Sequence, residues 1–155
     1  MEAVETIMTT KVVTVEMDDT LATIRNIFDR VRFHHLLVVE NQKLVGIISD
    51  RDFFKAISPY LGTMSETTHD HATLEKRAHQ IMGRHPVSIA PHASLEEAAK
   101  MILEKGVSCL PVMTEDREIV GILTWRDLLR ALCARELEGR NDEASSTSVD
   151  PSVAE

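Results

Sequence analysis

Aromatic side chains are scarce in this chain, with one Trp, one Tyr and four Phe among 155 residues. The core must therefore be aliphatic, and the 43% hydrophobic content, mostly Val, Ile, Leu, Ala and Met, is enough to build one. Cysteine is nearly absent. Cys109 and Cys133 form neither a C-x-x-C pair nor a zinc spacing, and they read as small buried residues rather than a disulfide or a nucleophile. Basic residues are outnumbered, 17 Lys and Arg against 25 Asp and Glu. The net charge of −8 argues against nucleic acid or an anionic membrane as partner, since either needs a basic face, but it leaves room for a local basic pocket that holds a phosphate. No apolar run is long enough to span a bilayer. The opening Met1-Glu2-Ala3-Val4-Glu5 lacks the basic and apolar regions of a secretory signal, and a cytoplasmic location is the expectation.

Catalytic signatures are missing too: there is no nucleophile elbow, no His-Glu-x-x-His and no P-loop. The acid pairs Asp50 and Asp52, and Glu96 and Glu97, read as charges at helix N-termini, so an enzyme is not expected. Of the seven histidines, His69 and His71 fall in a polar connector, and His34-His35 precede a strand. Spacing supplies no third or fourth ligand, so no metal site is expected.

The chain does contain one pattern written twice. At an offset of 74, Ile7-Met8 matches Ile81-Met82, Val13-Thr14-Val15 matches Val87-Ser88-Ile89, and Leu36-Leu37-Val38-Val39 matches Leu110-Pro111-Val112-Met113. One extra residue near Glu115-Asp116-Arg117 moves the offset to 75. Leu44 to Asp52 then matches Ile119 to Asp127, ending in Gly46-Ile47-Ile48-Ser49-Asp50-Arg51-Asp52 and Gly121-Ile122-Leu123-Thr124-Trp125-Arg126-Asp127.

Each copy reads β-α-β-β-α, an α/β (α+β) fold. Leu21, Ile24, Phe28 and Val31 share one helical face, as do Leu95, Ala98, Ala99 and Ile102. Ser94-Leu95-Glu96-Glu97 has capping-box spacing, and Gly106 is a C-terminal stop. Glu40 to Lys43 joins two apolar strands as a hairpin. About 50 residues is near the lower limit for independent folding, so the two copies are expected to pack face to face about a pseudo-two-fold axis, with clefts between them. Boundaries fall at 1–58 for the first copy, 59–73 for a linker, 74–137 for the second copy, whose opening 74–82 reads as one helix, and 138–155 for an acidic tail with no apolar period, expected to be disordered.

The repeated Gly-x-x-Ser/Thr-x-x-Asp segment admits two readings. A hydroxyl followed three residues later by a carboxylate is a common helix start. The same pair, about one turn apart, also suits the two hydroxyls of a ribose. Gly46 and Gly121 would let a ligand approach the backbone, and Arg51 and Arg126 would suit a phosphate.

These segments, the Ile-Met openings and Leu110-Pro111-Val112 resemble the CBS domain family, over roughly residues 3 to 135. The resemblance implies a tandem pair, or Bateman module: a pseudo-symmetric disc that often dimerises and binds adenosyl ligands between its copies. By that analogy Ser49 and Asp52 hold one ribose and Thr124 and Asp127 the other. Adenine sits among Val13, Phe33, His34 and His35 in one copy, and among Val87, Val107, Ser108 and Cys109 in the other, while Arg51 and Arg126 face phosphates. Leu37 stands where the family commonly has the proline kept at Pro111. The function implied is regulatory sensing of an adenosyl ligand: AMP, ADP, ATP, S-adenosylmethionine or an NAD-type molecule. No cofactor is required, a homodimer is expected, and the effector protein is unknown. The alternative is a structural dimerisation module with empty clefts. Trp125 has no counterpart in the first copy.

Overall fold

The computed structural model describes residues 2–31 and 34–145. The chain opens with a short helix, α1 (Val4–Ile7). The first copy follows as β1 (Thr14–Glu16), α2 (Leu21–Arg30), β2 (His35–Glu40), β3 (Lys43–Ser49) and α3 (Asp50–Ala56). A connector then carries α4 (Thr68–Ala72), a 3-10 turn (Thr73–Glu75), α5 (Ala78–Ile81) and β4 (Gly83–Arg84). The second copy ends the chain with α6 (Leu95–Lys105), β5 (Cys109–Met113), β6 (Ile119–Thr124) and α7 (Trp125–Ser145).

Local chemistry sets these boundaries. Thr20 starts α2 by accepting the Thr23 amide. Ser94 and Glu97 close a reciprocal capping box on α6, which stops at Gly106 in the left-handed region, φ +64°. The β2–β3 turn places Asn41 and Gln42 at φ +49° and +64°, the pair of positive values that a two-residue hairpin requires.

In the first copy the strands run β1-β2-β3-β4, with β1 parallel to β2 and the other pairings antiparallel. In the second copy β5 pairs with β6, and single bridges stand where β1 and β4 would be, Ile89 with Val112 and Thr9 with Ile122. The pseudo-symmetry therefore reaches individual hydrogen bonds. The Val4 amide donates to Ala93 O at 2.9 Å and the Glu5 amide to Pro91 O at 2.8 Å, while the Ala78 amide donates to Asp19 O at 2.8 Å and the His79 amide to Met17 O at 3.1 Å.

Those bonds reveal an exchange that the repeat pattern does not show. The Ile-Met opening of each copy packs on the other one. Val4 is fully buried in the core of the second copy with Ile89, Leu95, Ala98, Leu110 and Leu123, and Ile7 and Met8 pack beside it. Leu74, Ala78 and Met82 complete the core of the first copy with Leu21, Ile24, Leu36, Ile48 and Phe53. A third cluster, Leu37, Cys109 and Ile122 with Val12, Leu44, Ile47 and Ile119 around it, joins the two copies.

Three expectations change on this frame. The segment 59–73 is not a plain linker, because α4 lies within it, capped reciprocally by Thr67 and Asp70. The single helix expected over 74–82 is broken at Lys76 and Arg77. Their backbone is extended there, and it pairs with the loop leading into α2: the Leu21 amide donates to Lys76 O at 2.8 Å. The disorder expected from residue 138 is replaced by helix as far as Ser145, because a helix anchored by packing at its start propagates cheaply through helix-forming residues. The remaining tail, 146–155, lies outside the described residues.

The glycines of the repeated motif also have a structural reason to be glycine. A Cβ on Gly121 would lie 2.6 Å from Met8 Sδ and 2.9 Å from the Thr9 carbonyl oxygen, and one on Gly46 would lie 2.5 Å from Met82 Sδ. The expected approach of a ligand to these backbones is thus taken up by the exchanged methionines. Gly121→Ala should destabilise the fold by about 1–3 kcal/mol through overpacking. Gly139→Ala, where an added Cβ meets nothing within 4 Å, should be neutral or gain up to about 1 kcal/mol. Urea unfolding of both variants checks this, and equal stabilities would count against the exchanged contact.

Candidate functional site

The two Gly-x-x-Ser/Thr-x-x-Asp segments meet at one end of the molecule. A cleft of about 570 Å³ opens there, lined by His34, His35, Ser49, Asp50 and Arg51 from the first copy, by Ser108, Ile122, Thr124, Trp125, Arg126, Asp127 and Arg130 from the second, and by Thr9 of the exchanged segment. The hairpins bring these residues together: His35 pairs with Ser49 at the end of β2–β3, and Cys109 pairs with Thr124 at the end of β5–β6. A smaller depression of about 470 Å³ at the hairpin-turn end, lined by Lys43, His85 and Arg117 among others, holds none of the motif residues.

Both capping boxes form. The Ser49 amide donates to Asp52 Oδ2 at 2.9 Å, and the Asp52 amide donates to Ser49 Oγ at 3.0 Å. The Thr124 amide donates to Asp127 Oδ2 at 2.9 Å, and the Thr124 hydroxyl donates to the same oxygen at 3.1 Å. Asp127 is the one charged side chain buried among the described residues, 6% exposed, and Arg130 Nη1 lies 3.4 Å from its Oδ1. Capping thus occupies one carboxylate oxygen, and the other meets a mostly exposed guanidinium. The helix-start and ribose readings are therefore compatible at Asp127.

Of the residues the sequence pointed to, His34, His35, Ser49, Arg51, Ser108, Thr124, Arg126 and Asp127 line the cleft. Asp52 caps its helix just outside the lining. Val13 packs against the core of the first copy, and Val87 and Val107 against that of the second. Cys109 is turned into the cluster between the copies, where burial pushes its thiol up to about 12 and leaves it unreactive. Phe33 lies outside the described residues. Reading the repeat missed Thr9, Asp50, Ile122, Trp125 and Arg130 as lining residues. Asp50 and Trp125 occupy equivalent positions but differ in type, so the repeat gave no signal for them. Arg130 could have been found from its i+3 spacing to Asp127.

The cleft is electrically unlike the rest of the chain. Three guanidiniums, Arg51, Arg126 and Arg130, face two carboxylates, Asp50 and Asp127, in a protein of net charge −8. The Arg126 guanidinium lies 5.5 Å from the centre of the Trp125 ring, within cation–π range. His34 Nδ1 lies 2.9 Å from Asp50 Oδ2, and His35 Nε2 lies 2.9 Å from Ser108 Oγ across the copies. Partial burial works to raise the Asp50 carboxyl, but hydrogen bonds from His34 and the Arg51 amide, with the nearby histidine charge, outweigh it and hold the group below the usual carboxylate range.

Burial pushes His35 below the ordinary histidine value, against the opposing pull of Asp50. Its neutral form is therefore favoured in the folded chain. The unfolded chain takes up the proton first as pH falls through about 6.5, so this contribution to stability is present above that value and is lost below it. His35→Gln should show a smaller drop in melting temperature between pH 7.5 and 5 than the unaltered protein, and an equal drop would contradict this assignment.

The profile of the CBS domain matches residues 4–59 and 78–134. A CBS domain-containing protein of Dictyostelium discoideum is 34% identical over 131 residues, covering 83% of this chain and 90% of its own. Several longer relatives are spanned over less than half their length. Among solved structures, a Vibrio cholerae protein assigned to acetoin utilization (AcuB) superposes with a TM-score of 0.71 at 27% identity, covering 92% of this chain and 97% of its own. CBSX2 in complex with AMP has the same fold, with a TM-score of 0.71 at 24% identity over 88% of this chain and 99% of its own. The chain belongs to the CBS domain family, as two repeats that form a pair.

Proposed function

We propose that this CBS pair is a regulatory module, not an enzyme, and that it senses an adenosyl ligand carrying phosphate in the cleft between its copies. The observation that carries this reading is the charge of the cleft: a positive concavity on an acidic chain, with a buried carboxylate at its floor. Asp127 can accept ribose hydroxyls, Thr124 and Ser49 supply hydroxyl partners, and Arg51, Arg126 and Arg130 meet the phosphate. The fold's likeness to CBSX2, a protein solved with AMP, supports the class of ligand. AMP, ADP, ATP and S-adenosylmethionine share the adenosyl part, and the cleft's excess of guanidiniums favours the nucleotides.

Asp127→Ala removes two charge-assisted hydrogen bonds to the ribose, so affinity for AMP should fall at least ~10-fold. Helix starting is weakened by about 0.5–2 kcal/mol at the same time. Asp52→Ala should share the loss of stability and change affinity less, because Asp52 lies outside the lining. Calorimetric titration of AMP and ATP into ligand-stripped protein and both variants, with melting curves alongside, separates the two effects. Lower melting with unchanged affinity in Asp127→Ala would refute the ribose assignment. No heat and no stabilisation with any adenosyl compound would refute the sensor reading and favour a structural dimerisation module.

The same pseudo-symmetry bears on assembly. Phe54 on α3 and Leu129 on α7 are equivalent positions of the two copies, 66% and 49% exposed. Trp125, Leu129 and Leu132 form an exposed stripe along α7 with Leu137 at its flank. We propose that this face pairs with a second copy about a two-fold axis. Sedimentation should give twice the mass of the chain at micromolar concentration, and Leu129→Glu with Leu132→Glu should halve it. A monomeric unaltered protein would overturn the pairing.

A further inference from the structure

His34 touches both copies. Its Nδ1 lies 2.9 Å from Asp50 Oδ2 on its own copy, and its Nε2 lies 3.3 Å from Arg126 Nη1 on the other. A guanidinium donates and has no lone pair to accept with, so Nε2 is the acceptor and the ring proton sits on Nδ1, facing Asp50. The reciprocal bridge is impossible. Ser108 stands where His34 stands in the first copy, and Trp125 stands in place of Asp50. Among the described residues Arg51, the counterpart of Arg126, has no side-chain hydrogen bond.

We propose that His34 is a positioning residue that parks Arg126 against the first copy while the cleft is free, and that a nucleotide phosphate takes Arg126 from it, so that binding carries a proton onto His34 Nε2. This rests on the reading of the cleft as an adenylate site. The Arg126 bond and a proton on Nε2 need the same lone pair and exclude each other. Once Arg126 has moved to a phosphate, that lone pair is free. Asp50 is already bonded to the opposite nitrogen, which favours an imidazolium.

The other charged groups around the ring are of both signs. Asp50 and Arg51 face it from the α3 end and His35 from β2, and Arg126, Asp127 and Arg130 line the cleft across from it. The three guanidiniums oppose a charged ring in the free cleft, and a bound phosphate neutralises them. The complex therefore holds more protons than the free protein. Affinity for AMP should rise as pH falls through the histidine range, by at most about tenfold per pH unit for one proton.

The test is calorimetry of AMP binding to the full, ligand-stripped chain between pH 6 and 8, in buffers of low and high ionisation enthalpy. The unaltered protein and His35→Gln should take up more protons on binding than His34→Gln does. Ionisation of the AMP phosphate itself contributes equally to all three, so the difference reports His34. Equal uptake in His34→Gln and the unaltered protein overturns the proposal and leaves the adenylate site standing. No AMP binding in any of them overturns both. Nitrogen NMR of the ligand-free protein at pH 8 checks the bridge without a ligand: an Nδ1–H tautomer at His34 is the result expected, and an Nε2–H tautomer overturns the bridge whether or not AMP binds.

Discussion

Everything in this molecule hangs on two exchanged contacts. Met8 lies against the bare backbone of Gly121, and Met82 against that of Gly46. Each methionine belongs to the segment that opens one copy and is spent on the other. The exchange closes both cores, with Val4 entering one and Ala78 the other, and it extends each sheet at the strand that ends in the Ser49 or Thr124 cap. The caps, and so the cleft, are held where they are because the exchanged segment of the other copy is hydrogen-bonded beside each strand, as β4 beside β3 and as the Thr9 bridge beside β6. Thr9 and Ile122 exchange two bonds of 2.9 Å within the cleft lining itself.

Pseudo-symmetry builds the cleft, and departures from it give the cleft its chemistry. A fully symmetric pair would present the same groups from both sides. Here the first copy contributes His34 and Asp50, a charged and titratable pair, whereas the second contributes Ser108 and Trp125, a hydroxyl and a flat apolar ring. The two walls therefore differ in chemistry, although both carry guanidiniums, Arg51 on the first and Arg126 and Arg130 on the second.

Much of the architecture was legible in the sequence, because strands, helix faces and caps are local. Leu21 and Ile24, and Leu95, Ala98 and Ile102, have the helical spacing and are buried as that spacing implies. Ser94, Glu97 and Gly106 start and stop α6 through bonds among near neighbours. The exchange was not legible, because a repeat shows that two segments are alike and is silent on which copy each one packs against. For the same reason Gly46 and Gly121 suggested room for a ligand when their neighbours are methionines from a distant stretch. Alignment also placed Cys109 beside His35 in role, but the cluster with Leu37 and Ile122 takes its side chain away from the cleft. Residues that differ between the copies, such as Asp50 and Trp125, carry no repeat signal at all, and they line the site.

The exchange also sets an order of events during synthesis on the ribosome. The first core needs nothing beyond β4, so it can close once the chain has emerged to about Arg84. The second core needs Val4, made before the first copy, together with Leu110 and Leu123, made only with the second. The segment that carries Val4 must therefore wait, its apolar side chains unburied, until the strands of the second copy exist, and the contact that closes it is strongly non-local. A chain stalled between the copies would display a finished first half and an orphaned hydrophobic arm, Val4, Ile7 and Met8, of the kind that chaperones bind.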